Sequence, residues 1–127
     1  MITENYDLIV YEIPKKSEYF TCLRLNTSGI ANMLNFTIED INDIKLVVTE
    51  AATFFINNVE NISEKIRVEY KIFSDKLSIS VYDLNTELID KDKCKNEEMF
   101  MLIMDSLVDS FEIEHAKNCI KFEFNCK

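Results

Sequence analysis

TIEDINDIKLVVTEAATFFINN, residues 37–58, has the periodicity of a helix, and the sequence that follows it does not. Ile41, Ile44, Val48, Ala51 and Phe55 recur every three or four residues, which lays one apolar stripe along an α-helix. Thr37 and Asp40 have the T-x-x-D spacing of a reciprocal cap, so the helix is expected to begin at Thr37 and run to about Asn58. Asp43, Val47, Glu50, Phe54 and Asn57 or Asn58 share a neighbouring stripe. In KIRVEYKIF (65–73) and KLSISVYD (76–83) the period drops to two. Ile66, Val68, Tyr70 and Ile72, then Leu77, Ile79 and Val81, alternate with more polar residues around Ser74-Asp75. The pattern predicts a hairpin with one buried and one wet face.

Working outward, YDLIVYEI (6–13) reads as a first strand closed by Pro14. From Ser17 to about Leu34, the spacing of Phe20, Leu23, Ile30 and Leu34 predicts a helix, with Gly29 in or near its end. The stretch 84–98 is polar and irregular, a loop. A third helix is expected from about Glu97 to Asp109, with Met99, Leu102, Ile103 and Leu107 inward. SFEIEH (110–115) and CIKFEFN (119–125) read as strands. Helices early and strands mostly late predict a two-layer α+β sandwich with the helices on one face. At 127 residues the chain suits a single domain, 1–127.

Composition removes several function classes. Fourteen Lys and Arg against 23 Asp and Glu leave a net charge of −9. Without clustered bases, no direct contact with nucleic acid is expected. No apolar run approaches the roughly 20 residues of a membrane-spanning helix. MITENYDLIV lacks the features of a secretory signal, so a cytoplasmic protein is expected. Cys22, Cys94, Cys119 and Cys126 form no CxxC pair and have no histidine at ligand spacing, which predicts reduced thiols and no metal site. The single glycine opposes any phosphate loop that needs close backbone approach.

Two carboxylates are candidates for chemistry. Glu50 is either a solvated helix carboxylate near Lys45 or a general base at a pocket mouth. Asp83, at a strand end before a polar loop, suits a ligand contact and a strand terminator equally. His115, near no nucleophile motif, reads as a bystander. Asp90 and Asp92 read as solvated loop residues.

In order along the chain, these elements resemble the anti-sigma-factor serine kinases of Gram-positive bacteria, the RsbW/SpoIIAB type. That family lies in the histidine-kinase-like ATPase (GHKL) superfamily with gyrase B. RLNTSGIAN (24–32) is similar to the family's first helix, and TIEDINDIKLVVTEA reaches its catalytic Glu at Glu50. KIRVEYKIFSDKLSISVYD (65–83) resembles its central hairpin, ending in the Asp that binds adenine. LIMDSLVDSFEIE (102–114) resembles the helix and strand after its ATP lid. The resemblance implies the GHKL fold, with the helices on one face of a mixed sheet.

Residue by residue, the resemblance carries over unevenly. Glu50 falls on the family's general base, but the Mg²⁺-ligand asparagine four residues later is Phe54, whose ring offers no lone pair to a hard cation. The basic or His position four further on is Asn58. The D-x-G-x-G box reads DLNTE (83–87), keeping Asp83 and placing Asn85 and Glu87 where the glycines stand. The G-x-G that opens the lid helix reads EMF, with Glu98 and Phe100. The resemblance therefore implies a pseudo-kinase: Glu50 a remnant, and Asp83, Asn58 and Asn85 a degenerate nucleotide pocket opposed by Phe54 and Glu87. It implies no metal and no cofactor, and an anti-sigma-like homodimer that binds a sigma factor and an anti-anti-sigma protein. Arg24 falls where the family presents an arginine to those partners. The alternative is an active ATP- and Mg²⁺-dependent serine kinase acting on an anti-anti-sigma factor.

Overall fold

The computed structural model describes residues 5–58, 65–84 and 97–126, with the side chain of Asn58 outside the description. Elements follow one another as β1 (Asp7–Pro14), α1 (Phe20–Ala31), α2 (Ile38–Asn58), β2 (Lys65–Ile72), β3 (Lys76–Asp83), α3 (Glu97–Leu107), β4 (Ser110–Glu114) and β5 (Cys119–Asn125). The strands make one sheet in the order β1-β2-β3-β5-β4. Every pairing in it is antiparallel, so the expected mixed sheet is corrected. The reason is the route of the chain: after β3 it crosses through α3 and β4, and β5 returns against β3 in the opposite sense.

Strand alternation sets the core. Ile13 pairs with Ile66, which pairs with Asp83. Tyr70, Ile79 and Phe122 form a second row across the sheet. With Val68, Val81, Ile120 and Leu77 these side chains are buried under the helices. On the opposite face, Arg67 pairs with Glu12 at 2.9 Å and Lys121 with Glu114 at 3.0 Å, partners suited to a wet surface. The hairpin closes around Ser74 and Asp75, where the Phe73 N–H donates to the Lys76 carbonyl at 3.0 Å.

Helix α2 begins as expected. The Asp40 N–H donates to Thr37 Oγ1 at 3.1 Å, and the Thr37 N–H donates to Asp40 Oδ2 at 3.0 Å. Ile41, Ile44, Val48, Ala51 and Phe55 are all buried. The first helix is shorter than expected. A 3-10 turn spans Ser17–Tyr19, α1 ends at Ala31, and Gly29 sits inside the helix with open space around it. α3 ends at Leu107 rather than Asp109, and its inward face is corrected. Phe100 and Met104 are buried, with Ile103 and Leu107 partly so, while Met99 and Leu102 point outward at 61% and 67% exposure. None of the described helices is long and apolar enough to cross a membrane.

One polar pair crosses the two layers. Thr27 on α1 and Tyr70 on β2 are both fully buried, and their hydroxyls lie 2.8 Å apart. Burial pushes the Tyr70 phenol above its usual range, so the neutral form is the one the fold holds. Its contribution is complete below the unfolded value, near pH 10, and is lost as the pH rises toward the folded one. Tyr70→Phe leaves the Thr27 hydroxyl unsatisfied and is expected to cost about 1–3 kcal/mol by denaturant unfolding at pH 7. The same variant should lose less stability than the wild type between pH 10 and 11.

Candidate functional site

Asp83 ends β3 on the inward side of the sheet, because it shares the parity of Ile79 and Val81. A carboxylate there is costly to hold ionised unless a cation meets it. Lys15 does so, with Nζ 2.7 Å from Asp83 Oδ2 and both side chains fully buried. Lys15 lies just past β1, two residues beyond Ile13, and keeps the inward parity of Ile9, Tyr11 and Ile13. Pro14 ends the strand, and the inward parity continues one residue past it. The Asp83 N–H is also held, donating to the Asn118 carbonyl at 3.0 Å. Asn118 has a left-handed backbone, φ 47°, which an asparagine tolerates better than most residues.

The second element comes from α2. Glu50 is half-buried, and one turn further on Phe54 is 4% exposed. The Phe54 ring stacks on Phe100 of α3, with centroids 4.7 Å apart and planes 25° from parallel, and meets Phe55 edge-on at 6.0 Å. The two side chains are thus packed together as core. Such a pair adds about 0.5–1.5 kcal/mol beyond the area it buries. Glu98, beside it in sequence, is exposed.

The remaining expected positions are not gathered at one place. Arg24 lies on α1, half-buried, and its Nη2 donates to Thr21 Oγ1 at 3.3 Å. Leu25 beside it is 68% exposed, an apolar neighbour that the helical pattern did not single out. His115 Nε2 lies 2.9 Å from Glu97 Oε1, tying the start of α3 to the turn before β5. Asn85, Glu87, Asp90, Asp92 and Cys94 lie outside the described residues. Among the described residues Cys22, Cys119 and Cys126 are free thiols. Burial pushes the Cys119 thiol up to about 11, which leaves it protonated at neutral pH.

The residues present hold no oxygen ligand at position 54, and the Asp83 carboxylate already carries a buried ammonium. This donor set does not fit a Mg²⁺–nucleotide in the family's manner. The chain is nevertheless similar in sequence to known proteins. Over 95 residues, 73% of the chain, it is 38% identical to the serine-protein kinase RsbW of Oceanobacillus iheyensis. The chain belongs to the RsbW family. The RsbW of Listeria innocua is 40% identical over 83 residues, and that of Bacillus cereus 34% over 82. The matched stretches cover 60%, 53% and 51% of those three relatives, so the chain accounts for little more than half their length. No family model matches. In fold, the chain superposes on part of the crystal structure of the RsbU and RsbW domains of Rv1364c from Mycobacterium tuberculosis, with a TM-score of 0.62. That match is 11% identical and covers 94% of this chain and 32% of the other, a likeness of architecture alone.

The buried ion pair makes a direct prediction. Lys15→Met removes the ammonium that faces a buried carboxylate and is expected to cost roughly 3–5 kcal/mol in chemical denaturation. The double variant Lys15→Met/Asp83→Leu removes both charges and should regain most of that loss. Equal destabilisation by the single and double variants would show that the two side chains are not coupled.

Proposed function

We propose that this RsbW-like chain is an anti-sigma regulator that works by binding proteins and has lost nucleotide chemistry. The observation that carries the reading is the Phe54–Phe100 stack, packed aromatic side chains at the two positions that the resemblance assigns to the metal ligand and the lid helix. The Lys15–Asp83 pair supports it, because the base-recognising carboxylate is engaged internally. Glu50 is then a remnant of a general base.

The partners are a sigma factor and an anti-anti-sigma protein, met in the cytoplasm by a homodimer. Arg24 with exposed Leu25 is the recognition surface on α1. Arginine supplies planar donors, and beside an apolar neighbour it has the make-up of an interface anchor. The second reading, an ATP- and Mg²⁺-dependent serine kinase, is favoured by the likeness to serine-protein kinases and by the retained Glu50.

Calorimetric titration separates the two. With ATP or a non-hydrolysable analogue, with or without Mg²⁺, no heat of binding is expected. Magnesium-dependent binding in the micromolar range would overturn the loss of nucleotide chemistry. Phe54→Asn alone should not create binding, since Lys15 still occupies Asp83, and it should cost stability by opening the aromatic stack. For recognition, Arg24→Ala is expected to weaken capture of a purified cognate sigma factor by about 2 kcal/mol, roughly 30-fold. An unchanged affinity would remove Arg24 from the interface.

A further inference from the structure

Helix α3 presents a surface that neither the nucleotide site nor the α1 surface accounts for. Met99, Met101 and Leu102 are 61%, 44% and 67% exposed, although the helix buries Phe100 and Met104 on its other side. Between α3 and β4 an open cleft of about 450 Å³ is lined by Glu98, Met101, Leu102, Asp105 and Phe111. Glu98 and Asp105 are seven residues apart, two helical turns or about 10 Å, so they bracket Met101 and Leu102 along one face. From Glu97 to Asp109 the chain carries no Lys or Arg, and Glu98 and Asp105 are both exposed. The surface is an apolar floor between two carboxylates.

We propose that this cleft docks an amphipathic helix whose apolar anchor is flanked by Lys or Arg about two turns apart. The anchor enters between Leu102 and Phe111, and Met99 and Met101 adapt to it, as unbranched thioether side chains do. The flanking cations meet Glu98 and Asp105. Charge selects this occupant over the others. A second copy related by a two-fold axis would bring acidic rims together on a chain of net charge −9. A phosphate backbone or an anionic lipid surface would be repelled in the same way. The proposal does not depend on the sigma-factor reading, since it concerns a different helix and a different charge.

The five methionines provide a local readout. Protein labelled with ¹³C at the Met methyls is titrated with a synthetic amphipathic peptide bearing Leu anchors and Lys two turns apart, and with its Lys→Glu counterpart. The Met99 and Met101 methyls are expected to shift, while Met33, exposed beyond the end of α1, stays in place. The Glu peptide is expected to bind at least about tenfold more weakly, the equivalent of 1.4 kcal/mol. Leu102→Ser, on an exposed side chain that leaves the core untouched, should weaken the Lys peptide by a similar factor. Glu98→Lys/Asp105→Lys should reverse the preference between the peptides. Absence of shifts, equal binding of both peptides, or movement of Met33 to the same extent would each overturn the proposal. Shifts of Met99 and Met101 that grow with protein concentration alone would overturn it in favour of a second copy.

Discussion

Asp83 can remain a carboxylate at the inward end of β3 because the Lys15 ammonium lies 2.7 Å away, and neither group meets water. Paired, the two charges offset each other's desolvation; either alone would be a strong destabiliser. The tie is also topological. It joins the exit of the edge strand β1 to the end of the central strand β3, across the row formed by Ile13 and Ile66. The segment that leads into α1 and the end of β3 are thereby tied to each other. A carboxylate used in this way holds the fold together, and a ligand that needed it would have to break the contact first.

The aromatic stack constrains the other half of the site. Phe54 belongs to the same helix as Glu50, so the backbone that would present a general base is intact. What differs is the content of the neighbouring stripe: a ring at position 54 finds a ring at position 100, and α2 and α3 pack through them. A polar side chain at either position would remove the ring that the other stacks on. Positions 54 and 100 are therefore coupled by packing, and a substitution at one is felt at the other.

Much of this was legible in the sequence, for identifiable reasons. The Thr37–Asp40 cap, the Ile41-to-Phe55 stripe and the two alternating runs around Ser74-Asp75 each combine a local rule with a core-facing period, and all three are found in the fold. Lys15 was not legible, because a lysine after a proline reads as solvated and its partner is 68 residues away. The face of α3 was misjudged because EEMFMLIMDSL offers apolar residues on nearly every side of the helix. All six residues from Met99 to Met104 are apolar, so periodicity alone does not choose which face turns inward. The choice fell to the Phe54 ring, a contact between helices that no local pattern encodes.

That choice has a consequence for how such a chain acts. Because Phe100 turns inward to meet Phe54, Met99, Met101 and Leu102 must turn outward, since 100° separates successive residues on a helix. The packing that joins α2 to α3 through the two rings is therefore the same packing that exposes the apolar face of α3. The exposed face of α1, whose one charge is Arg24, is independent of that packing. The exposed apolar faces of the two helices thus differ in electrostatic character, α1 carrying Arg24 and α3 carrying Glu98 and Asp105, and only the face of α3 is set by the Phe54 contact.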